Sequence, residues 1–222
     1  MRLRIVCVSD THEQHRELIV PPGDVLIHAG DFTFFGRGTR AIEDFNNWLG
    51  ELPHRWKIVT CGNHEFVFEA DPGLCRLITN GTLLLNESTM IGPAKVWASP
   101  LTVHYGGAFG RSNAADRLKA YTSIPMDTDI LVTHGPPYGV LDRSPAEYPG
   151  PAGDRELREA VIRVRPKLHV FGHVHSGYGV RATRHTVFVN AALFGLDAAL
   201  NRPIVLEMSQ FKEHRDESSA LV

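Results

Sequence analysis

Short apolar runs, rich in β-branched residues and bounded by Gly, Pro or Asp, recur along the chain. Each run is too short for a free-standing helix, so the pattern predicts buried β-strands. Their near-continuous hydrophobicity is typical of strands that are covered on both faces. The runs lie at residues 3–10, 24–31, 56–63, 129–135, 167–173 and 185–191.

Two segments between these runs have the spacing of amphipathic helices. In residues 39–49, Thr39 stands where it can cap the start, and Gly50 marks the end. In residues 154–165, Asp154 is the expected N-cap. The apolar faces of the two predicted helices consist of Ile42, Phe45, Trp48 and Leu49, and of Leu157, Ala160, Val161 and Val164.

The remaining apolar segments extend the predicted sheet structure. Residues 101–125 and 135–153 have no clean period and are rich in Gly or Pro, which is typical of functional loops. We expect one domain over residues 1–210 and a polar tail over 211–222. Strands that alternate with helices and are followed by further strands indicate a layered α/β domain with two sheets between helices. The further strands are predicted at residues 82–86, 94–99 and 203–208, and we expect them to form a second, antiparallel part of the fold.

Composition narrows the range of functions. The 222-residue chain has a net charge of −2, 43% hydrophobic residues and no apolar run of about 18 or more residues that would cross a membrane. It has no pattern of a signal peptide, and its odd number of cysteines, three, favours a reducing compartment, so we expect a cytoplasmic location. Because the chain has no dense stripe of Lys and Arg, a small substrate is favoured over a long nucleic acid. The oligomeric state stays open.

Metal-capable side chains occur at the ends of several predicted strands. Because ligands of open α/β sheets bind beyond the carboxyl ends of strands, these side chains are expected to converge. The mixed nitrogen and oxygen set suits Mn, Fe, Zn, Co or Ni better than Ca or Mg. Seven ligands exceed the need of one tetrahedral ion, whereas two ions that share a carboxylate would use them all. The seven are Asp10, His12, Asp31, Asn63, His134, His173 and His175.

The order of these motifs resembles the calcineurin-like metallophosphoesterase superfamily. The matching blocks run from Ser9 to His175 and read D-x-H, G-D, G-N-H-E, a single His and G-H-x-H. The longer stretches HAGDFTFFG, FNNWLGELPHRWKIVTCGNHE, ILVTHGPPYG and GHVHSGYG resemble its small metallophosphoesterase-domain-containing, brain 239-type subgroup. This resemblance implies a four-layer αββα sandwich of two mixed sheets flanked by helices.

The resemblance also implies a role for each matching residue. His64 would be the catalytic histidine that binds no metal, and Gly62 would let the backbone turn tightly before it. Glu65, where the family more often has Asp, would orient a neighbouring imidazole. Arg37 resembles the phosphate-binding arginine of Ser/Thr protein phosphatases, although Gly36 stands where they have Asp, and His15 lies only three residues after His12, so both are candidates for substrate contact. One metal would be held by Asp10, His12, Asp31 and His175, and the other by Asp31, Asn63, His134 and His173.

The expected chemistry is hydrolysis of a phosphate ester. Two divalent ions, manganese in first place, held about 3.5–4 Å apart would lower the pKa of a bridging water, and the resulting hydroxide would attack phosphorus. His64 would protonate the leaving oxygen. Members of the subgroup are implicated in phosphodiester hydrolysis, so we expect a phosphodiesterase acting on small esters such as cyclic nucleotides. The alternatives are a catalytically silent interaction scaffold, a phosphomonoesterase and a nuclease.

Other polar residues have simpler interpretations. His28 is expected to be a buried polar group rather than a ligand. Asn190, at the end of a predicted strand, could support the site from an adjacent strand or form a turn, and the turn is favoured. Arg111 and Arg143, in the two irregular segments, are candidate phosphate contacts that the sequence does not rank.

Overall fold

Thirteen strands and four α-helices lie in the part of the chain that the computed structural model describes, which is residues 2–35, 38–103, 106–143, 150–194 and 200–211. Arg37 and residues 212–222 of the predicted tail lie outside it. The strands are β1 (Leu3–Val8), β2 (Val25–His28), β3 (Trp56–Val59), β4 (Thr82–Leu83), β5 (Glu87–Ile91), β6 (Ala94–Ser99), β7 (Thr102–Val103), β8 (Gly110–Arg111), β9 (Ile130–Thr133), β10 (Leu168–Phe171), β11 (Gly179–Ala182), β12 (Val187–Asn190) and β13 (Ile204–Met208). The helices are α1 (Thr39–Glu51), α2 (Phe66–Ala70), α3 (Ala114–Thr122) and α4 (Arg155–Val164).

The strands form two mixed sheets and a small pair. The first sheet has the order β13-β1-β2-β3-β4, in which β1 to β4 are parallel and β13 is antiparallel to β1. The second has the order β11-β12-β10-β9-β6-β5, with antiparallel edge strands β11 and β5. Strands β7 and β8 pair separately. Within each sheet, the carboxyl ends of the parallel strands therefore meet at one edge.

Alternation along the strands builds the layers. In β1, Ile5 and Cys7 face the core between the two sheets, whereas Val6 and Val8 face the helix α1. Phe171 of the second sheet packs against α3 and α4 in the same way. Apolar side chains thus fill three interfaces in the order helix, sheet, sheet, helix. This arrangement confirms the predicted four-layer αββα fold.

The predicted helices are present, with one difference at their ends. Asp154 caps α4 as predicted, since its Oδ1 accepts hydrogen bonds from the backbone N–H groups of Glu156 and Leu157 at 2.9 and 3.4 Å. The start of α1 is different, because Thr39 is already helical and Gly38 is the N-cap without a side-chain hydrogen bond. The helix also passes through Gly50 to Glu51.

The prediction of a separate antiparallel part was wrong. Strands β4 and β13 belong to the first sheet, while β6 lies in the second sheet, parallel to β9. Its antiparallel partner β5 was not predicted, because that edge strand is mostly polar and exposed. Helix α3 was missed as well, since its buried positions are only Arg117 and Tyr121. Among the described residues, no helix combines the length and apolar character needed to cross a membrane.

Candidate metal centre

The seven predicted ligands meet at the carboxyl-end edge of both sheets. The loops after β1, β2 and β3 come from one sheet, and the loops after β9 and β10 come from the other. Six of the seven, all except Asn63, form together with His64 three overlapping groups, in each of which the ligand-capable atoms lie within 4.8 Å of one another. The groups are Asp10 with His12 and His175, Asp31 with His134 and His173, and His12 with Asp31 and His64.

The first group surrounds Asp10, which is fully buried. His175 Nε2 lies 3.3 Å from Asp10 Oδ1, and the His12 and His175 ring centroids are 5.5 Å apart. The backbone N–H of His173 donates to both carboxylate oxygens at 3.1 and 3.0 Å. The loop after β10 is therefore attached directly to the end of β1.

The second group surrounds Asp31. His134 Nε2 lies 3.2 Å from Asp31 Oδ2. The amide oxygen of Asn63 lies 2.9 Å from His134 Nε2 and 2.8 Å from His173 Nδ1. One carboxylate, one amide oxygen and two imidazole nitrogens thus lie close together, and they are the donor set that the resemblance implied for one metal.

Asp31 connects the two groups. It also lies in the third group with His12, a member of the first set, and with His64. Its Oδ1 accepts a hydrogen bond from the backbone N–H of His64 at 2.9 Å, while Oδ2 faces His134. A carboxylate in this position can reach ions on either side of it.

Backbone carbonyl groups orient several of the imidazoles. His134 Nδ1 lies 2.9 Å from the Ala29 carbonyl oxygen, and His12 Nδ1 lies 3.3 Å from that of Thr33. Because a carbonyl only accepts, each Nδ1 donates its proton, so Nε2 is the nitrogen that can bind a metal when the ring is neutral. Neutral imidazoles held in this tautomer are typical metal ligands.

The charge balance of the cluster also fits a bound cation. Burial alone would raise the pKa of both Asp10 and Asp31, but neighbouring imidazoles outweigh it and lower both values. Burial likewise opposes protonation of His134, yet the Asp31 carboxylate raises its pKa to about 10. At His173 burial prevails and lowers the pKa to about 4. Two buried carboxylates are therefore compensated by a proton on an imidazole, in the place where a metal would supply positive charge.

Four of the seven residues have strained backbone conformations. Asp10, His12, Asp31 and His173 have φ angles of 53°, 43°, 54° and 66°. This left-handed region is uncommon for residues other than glycine and costs free energy that the surrounding structure must supply. Strain concentrated in these loops is typical of a functional site.

Two glycines precede ligands because no side chain fits there. A Cβ on Gly62 would lie 2.3 Å from Asp31 Oδ1 and 2.6 Å from His134 Cε1. A Cβ on Gly172 would lie 2.0 Å from Asp10 Oδ2. The sequence suggests a tight turn as the reason for Gly62. In the structure, glycine is required at this position because the backbone lies close to the ligand side chains.

The hydrogen-bond partners of Glu65 differ from the imidazole that was predicted. Its buried carboxylate accepts hydrogen bonds from the backbone N–H groups of Asp31, Gly62 and Thr33 and from the Thr33 hydroxyl, rather than from an imidazole. Burial and then the Asp31 charge raise its pKa to about 7, although these hydrogen bonds oppose the shift. Glu65 therefore joins the loops after β2 and β3.

Asn190 supports the site from the adjacent strand, which is the alternative that the sequence did not favour. It is buried at the end of β12, and its Nδ2 donates to the carbonyls of Val174 and Leu141 at 2.8 and 3.1 Å. Val174 separates His173 from His175. The sequence signal that could have found Asn190 is the one that found the ligands, a polar residue at the end of a buried strand.

Three other candidates lie outside the ligand groups. His15 is 1% exposed and its Nε2 lies 3.0 Å from an Asp44 oxygen, so its ring faces α1 and not a substrate. His28 is buried beside Thr11, as predicted. Arg111 pairs with Glu69 at 2.9 Å. Arg37 lies outside the described residues.

Comparison with known proteins agrees with this geometry. Residues 3–177 match the family model described as calcineurin-like phosphoesterase. Human metallophosphoesterase domain-containing protein 1 is 37% identical over 231 residues, which cover 92% of this chain and 71% of that protein. A UPF0046 protein of Caenorhabditis elegans is 39% identical over 205 residues, covering 86% and 69% of the two chains.

A solved structure is similar in fold. The protein TT1561 of Thermus thermophilus superposes with a TM-score of 0.57 at 15% identity, covering 86% of this chain and 89% of that one. The match to the family model extends over most of the chain and includes all seven predicted ligands. The chain therefore belongs to the calcineurin-like phosphoesterase family and is a metal-dependent phosphoric ester hydrolase.

Proposed function

We propose that the protein is a phosphodiesterase with two metal ions that hydrolyses small esters such as cyclic nucleotides. The observation that carries this proposal is the position of Asp31, which belongs both to the group with His134 and to the group with His12. A single carboxylate shared in this way supports a dinuclear site. In the proposed assignment one ion is held by Asp10, His12, Asp31 and His175, and the other by Asp31, Asn63, His134 and His173.

When bound, the metals supply positive charge for the phosphoryl oxygens and a hydroxide nucleophile at neutral pH. The residues of the chain orient and support this chemistry. Carbonyl groups fix the tautomers of His12 and His134, and Glu65 holds the two loops that carry Asp31 and Asn63. The donor set favours a first-row transition metal, and manganese is the proposed ion.

His64 is the proposed general acid. Its Nδ1 contacts the Phe34 carbonyl, so Nδ1 donates and Nε2 faces the site, 4.0 Å from Asp31 Oδ2. The side chain is 26% exposed, unlike the fully buried His134, so it is accessible to substrate. A proton on Nε2 can be transferred to the leaving oxygen when the P–O bond breaks.

The proposal of a diester as the substrate rests on the resemblance to the small metallophosphoesterase-domain-containing subgroup and on the lack of a dense stripe of Lys and Arg in the sequence. We further propose that residues 1–210 form the catalytic domain and that the protein is cytoplasmic, which its three free cysteines support.

The test is a substrate panel measured with the chelator-treated protein before and after addition of Mn²⁺. We expect hydrolysis of bis-p-nitrophenyl phosphate and of cyclic AMP that requires the metal, with slower release from p-nitrophenyl phosphate. Hydrolysis of the monoester alone would show that the protein is a phosphomonoesterase. Hydrolysis of oligonucleotides alone would indicate a nuclease. A protein that binds Mn²⁺ but hydrolyses none of these esters would support the scaffold alternative.

A further inference from the structure

Two exposed phenylalanines stand beside the proposed general acid. The ring centroids of Phe34 and Phe35 lie 5.9 and 6.1 Å from that of His64, and Phe34 also lies 5.7 Å from His12. Phe34 is 43% exposed and Phe35 is 56% exposed, whereas Phe32 in the same loop is fully buried. Packing of the core therefore explains Phe32 but not its two neighbours.

The segment that carries these rings is attached to the site. The Phe34 N–H donates to Glu13 Oε1 at 3.0 Å, and the Phe34 carbonyl contacts His64 Nδ1. The preceding residue, Thr33, donates twice to Glu65 at 2.9 Å. The two rings contact each other edge to face, with centroids 4.5 Å apart. Their place relative to His64 is thus set by hydrogen bonds and not by apolar packing.

The same rings also line an open cleft of about 740 Å³ on the side away from the ligand groups, since its described lining residues include neither His64 nor any of the seven predicted ligands. The other lining side chains include the carboxylates of Glu13 and Asp44 and the guanidinium of Arg40. Because Glu13 and Asp44 offset Arg40, these lining residues carry no surplus of positive charge to attract a second anionic group, and the two exposed rings suit an uncharged aromatic ligand.

We propose that Phe34 and Phe35 bind the leaving group of the substrate, and that this group is an uncharged aromatic alcohol, the class that includes nucleoside hydroxyls. The inference rests on the proposed function. In the reaction water loses a proton to solvent and its oxygen bonds to phosphorus, the P–O bond to the alcohol breaks with its electron pair on the leaving oxygen, and His64 Nε2 supplies the proton that this oxygen receives. The leaving oxygen must therefore lie next to His64, and the remainder of the alcohol then lies against the two rings.

The experiment compares a Phe34→Ala/Phe35→Ala double variant with wild type and with Phe66→Ala. Phe66 is a matched control because it is 39% exposed and follows Glu65 directly, yet it lies outside the cleft. With Mn²⁺ bound, we expect the KM for bis-p-nitrophenyl phosphate to rise about tenfold in the double variant, through loss of two aromatic contacts. The inhibition constant of inorganic phosphate, which contacts the metal centre alone, should stay within about twofold.

A second readout is independent of the metal. Saturation-transfer NMR with 4-nitrobenzyl alcohol, an uncharged aromatic alcohol, should detect binding to the metal-stripped wild type and Phe66→Ala proteins but not to the double variant. An unchanged KM together with retained alcohol binding overturns the inference, and so does an equal rise of KM in Phe66→Ala.

The outcomes also separate this inference from the proposed function. If the wild-type protein hydrolyses no diester, the proposed function is wrong. The assignment of Phe34 and Phe35 to aromatic-alcohol binding is also wrong if, in addition, 4-nitrobenzyl alcohol does not bind to the wild-type protein. If the Phe34→Ala/Phe35→Ala variant has a lower melting temperature than wild type, the KM of a Phe34→Leu/Phe35→Leu variant is measured in its place. That variant keeps apolar bulk without an aromatic face, and its KM is expected to rise about threefold.

Discussion

Two buried polar clusters in this protein are built in opposite ways. The cluster around Asp154 contains its own cation, because Arg117 Nε donates to Asp154 Oδ2 at 2.9 Å and Arg117 Nη2 donates to Glu156 at 2.7 Å. Tyr121 adds a third side-chain donor at 3.0 Å. The metal-centre cluster instead places two carboxylates among imidazoles, and the described residues contribute no Lys or Arg side chain to its ion pairs.

The difference separates a structural cluster from a site that receives a ligand. The remaining guanidinium donors of Arg117 bind backbone carbonyls of the segment before α3, so the cluster joins α3 and α4 without further charge. At the metal centre, the buried carboxylates of Asp10 and Asp31 lie among imidazoles, so among the described residues protons or metal ions must supply the compensating positive charge. In this protein the cluster with its own guanidinium joins two helices, whereas the cluster in which the described residues supply no guanidinium coincides with the proposed metal centre.

The largest effect is expected at Asp31. Asp31→Asn should lower kcat/KM for bis-p-nitrophenyl phosphate by roughly 10³-fold, since loss of the shared carboxylate removes several kcal/mol of metal-dependent charge stabilisation. Steady-state kinetics at saturating Mn²⁺ measure this. Asp154→Asn is the matched control and should leave kcat/KM near the wild-type value while lowering the free energy of unfolding. A folded Asp31→Asn protein with wild-type turnover would contradict the assignment.

The second effect is a loss of stability in the other cluster. Arg117→Met leaves Asp154, which is 3% exposed, without its cation, and should cost about 3 kcal/mol of unfolding free energy. Urea denaturation of the chelator-treated protein measures the loss. Arg111→Met is the control, because the ion pair of Arg111 with Glu69 is partly exposed and should contribute at most about 1 kcal/mol. Equal losses in the two variants would remove the distinction between a buried and a surface ion pair.

Asn190 tests how the metal-centre loops are positioned. Asn190→Ala removes the hydrogen bonds to the carbonyls of Val174 and Leu141, so Mn²⁺ affinity should fall by roughly 10–100-fold through misplacement of His173 and His175. Titration with Mn²⁺ measures the affinity, and saturating metal should restore part of kcat. In the control variant Asn113→Ala, which removes the cap of α3, Mn²⁺ affinity should not change. An unchanged affinity in Asn190→Ala would reduce Asn190 to a purely structural residue.

The smallest effect concerns pH and a buried histidine outside both clusters. Burial lowers the pKa of His169 to about 3, while its unfolded-state pKa is about 6.5. Between these values the unfolded chain binds the proton, so the stabilisation is present above pH 6.5 and is lost as the pH falls towards 3. From pH 7.5 to 5.5 this residue should account for a loss of roughly 1.4 kcal/mol.

His169→Gln keeps a polar group near Thr133, the hydrogen-bond partner of His169 at 2.8 Å, but removes the titration. Urea unfolding of chelator-treated protein at the two pH values should therefore show a smaller pH dependence in the variant than in wild type. The same dependence in both proteins would show that His169 is not the responsible group.

Much of the site could be predicted because polar residues interrupt apolar strands at their ends. Asp10, Asp31, Asn63 and His134 each follow a buried strand, and the structure brings their side chains together. The targets of Glu65 and Asn190 could not be predicted. Both residues form hydrogen bonds with backbone groups of other loops. Because backbone groups are the same for nearly every residue type, the sequence does not show which residues are the partners.

The amino-acid sequence alone determined the four-layer α/β fold and the identity and order of the candidate ligands, because alternation, capping and strand-end polarity are local properties. Only the tertiary structure decided that Asp31 is shared between two groups and that the backbone of His173 contacts Asp10 across 163 residues of chain. It also decided which strands pair and placed α3 on the second sheet. These features depend on packing between segments that are far apart in sequence. The burial of one side chain then depends on another from a distant segment, so no local sequence pattern predicts their contact.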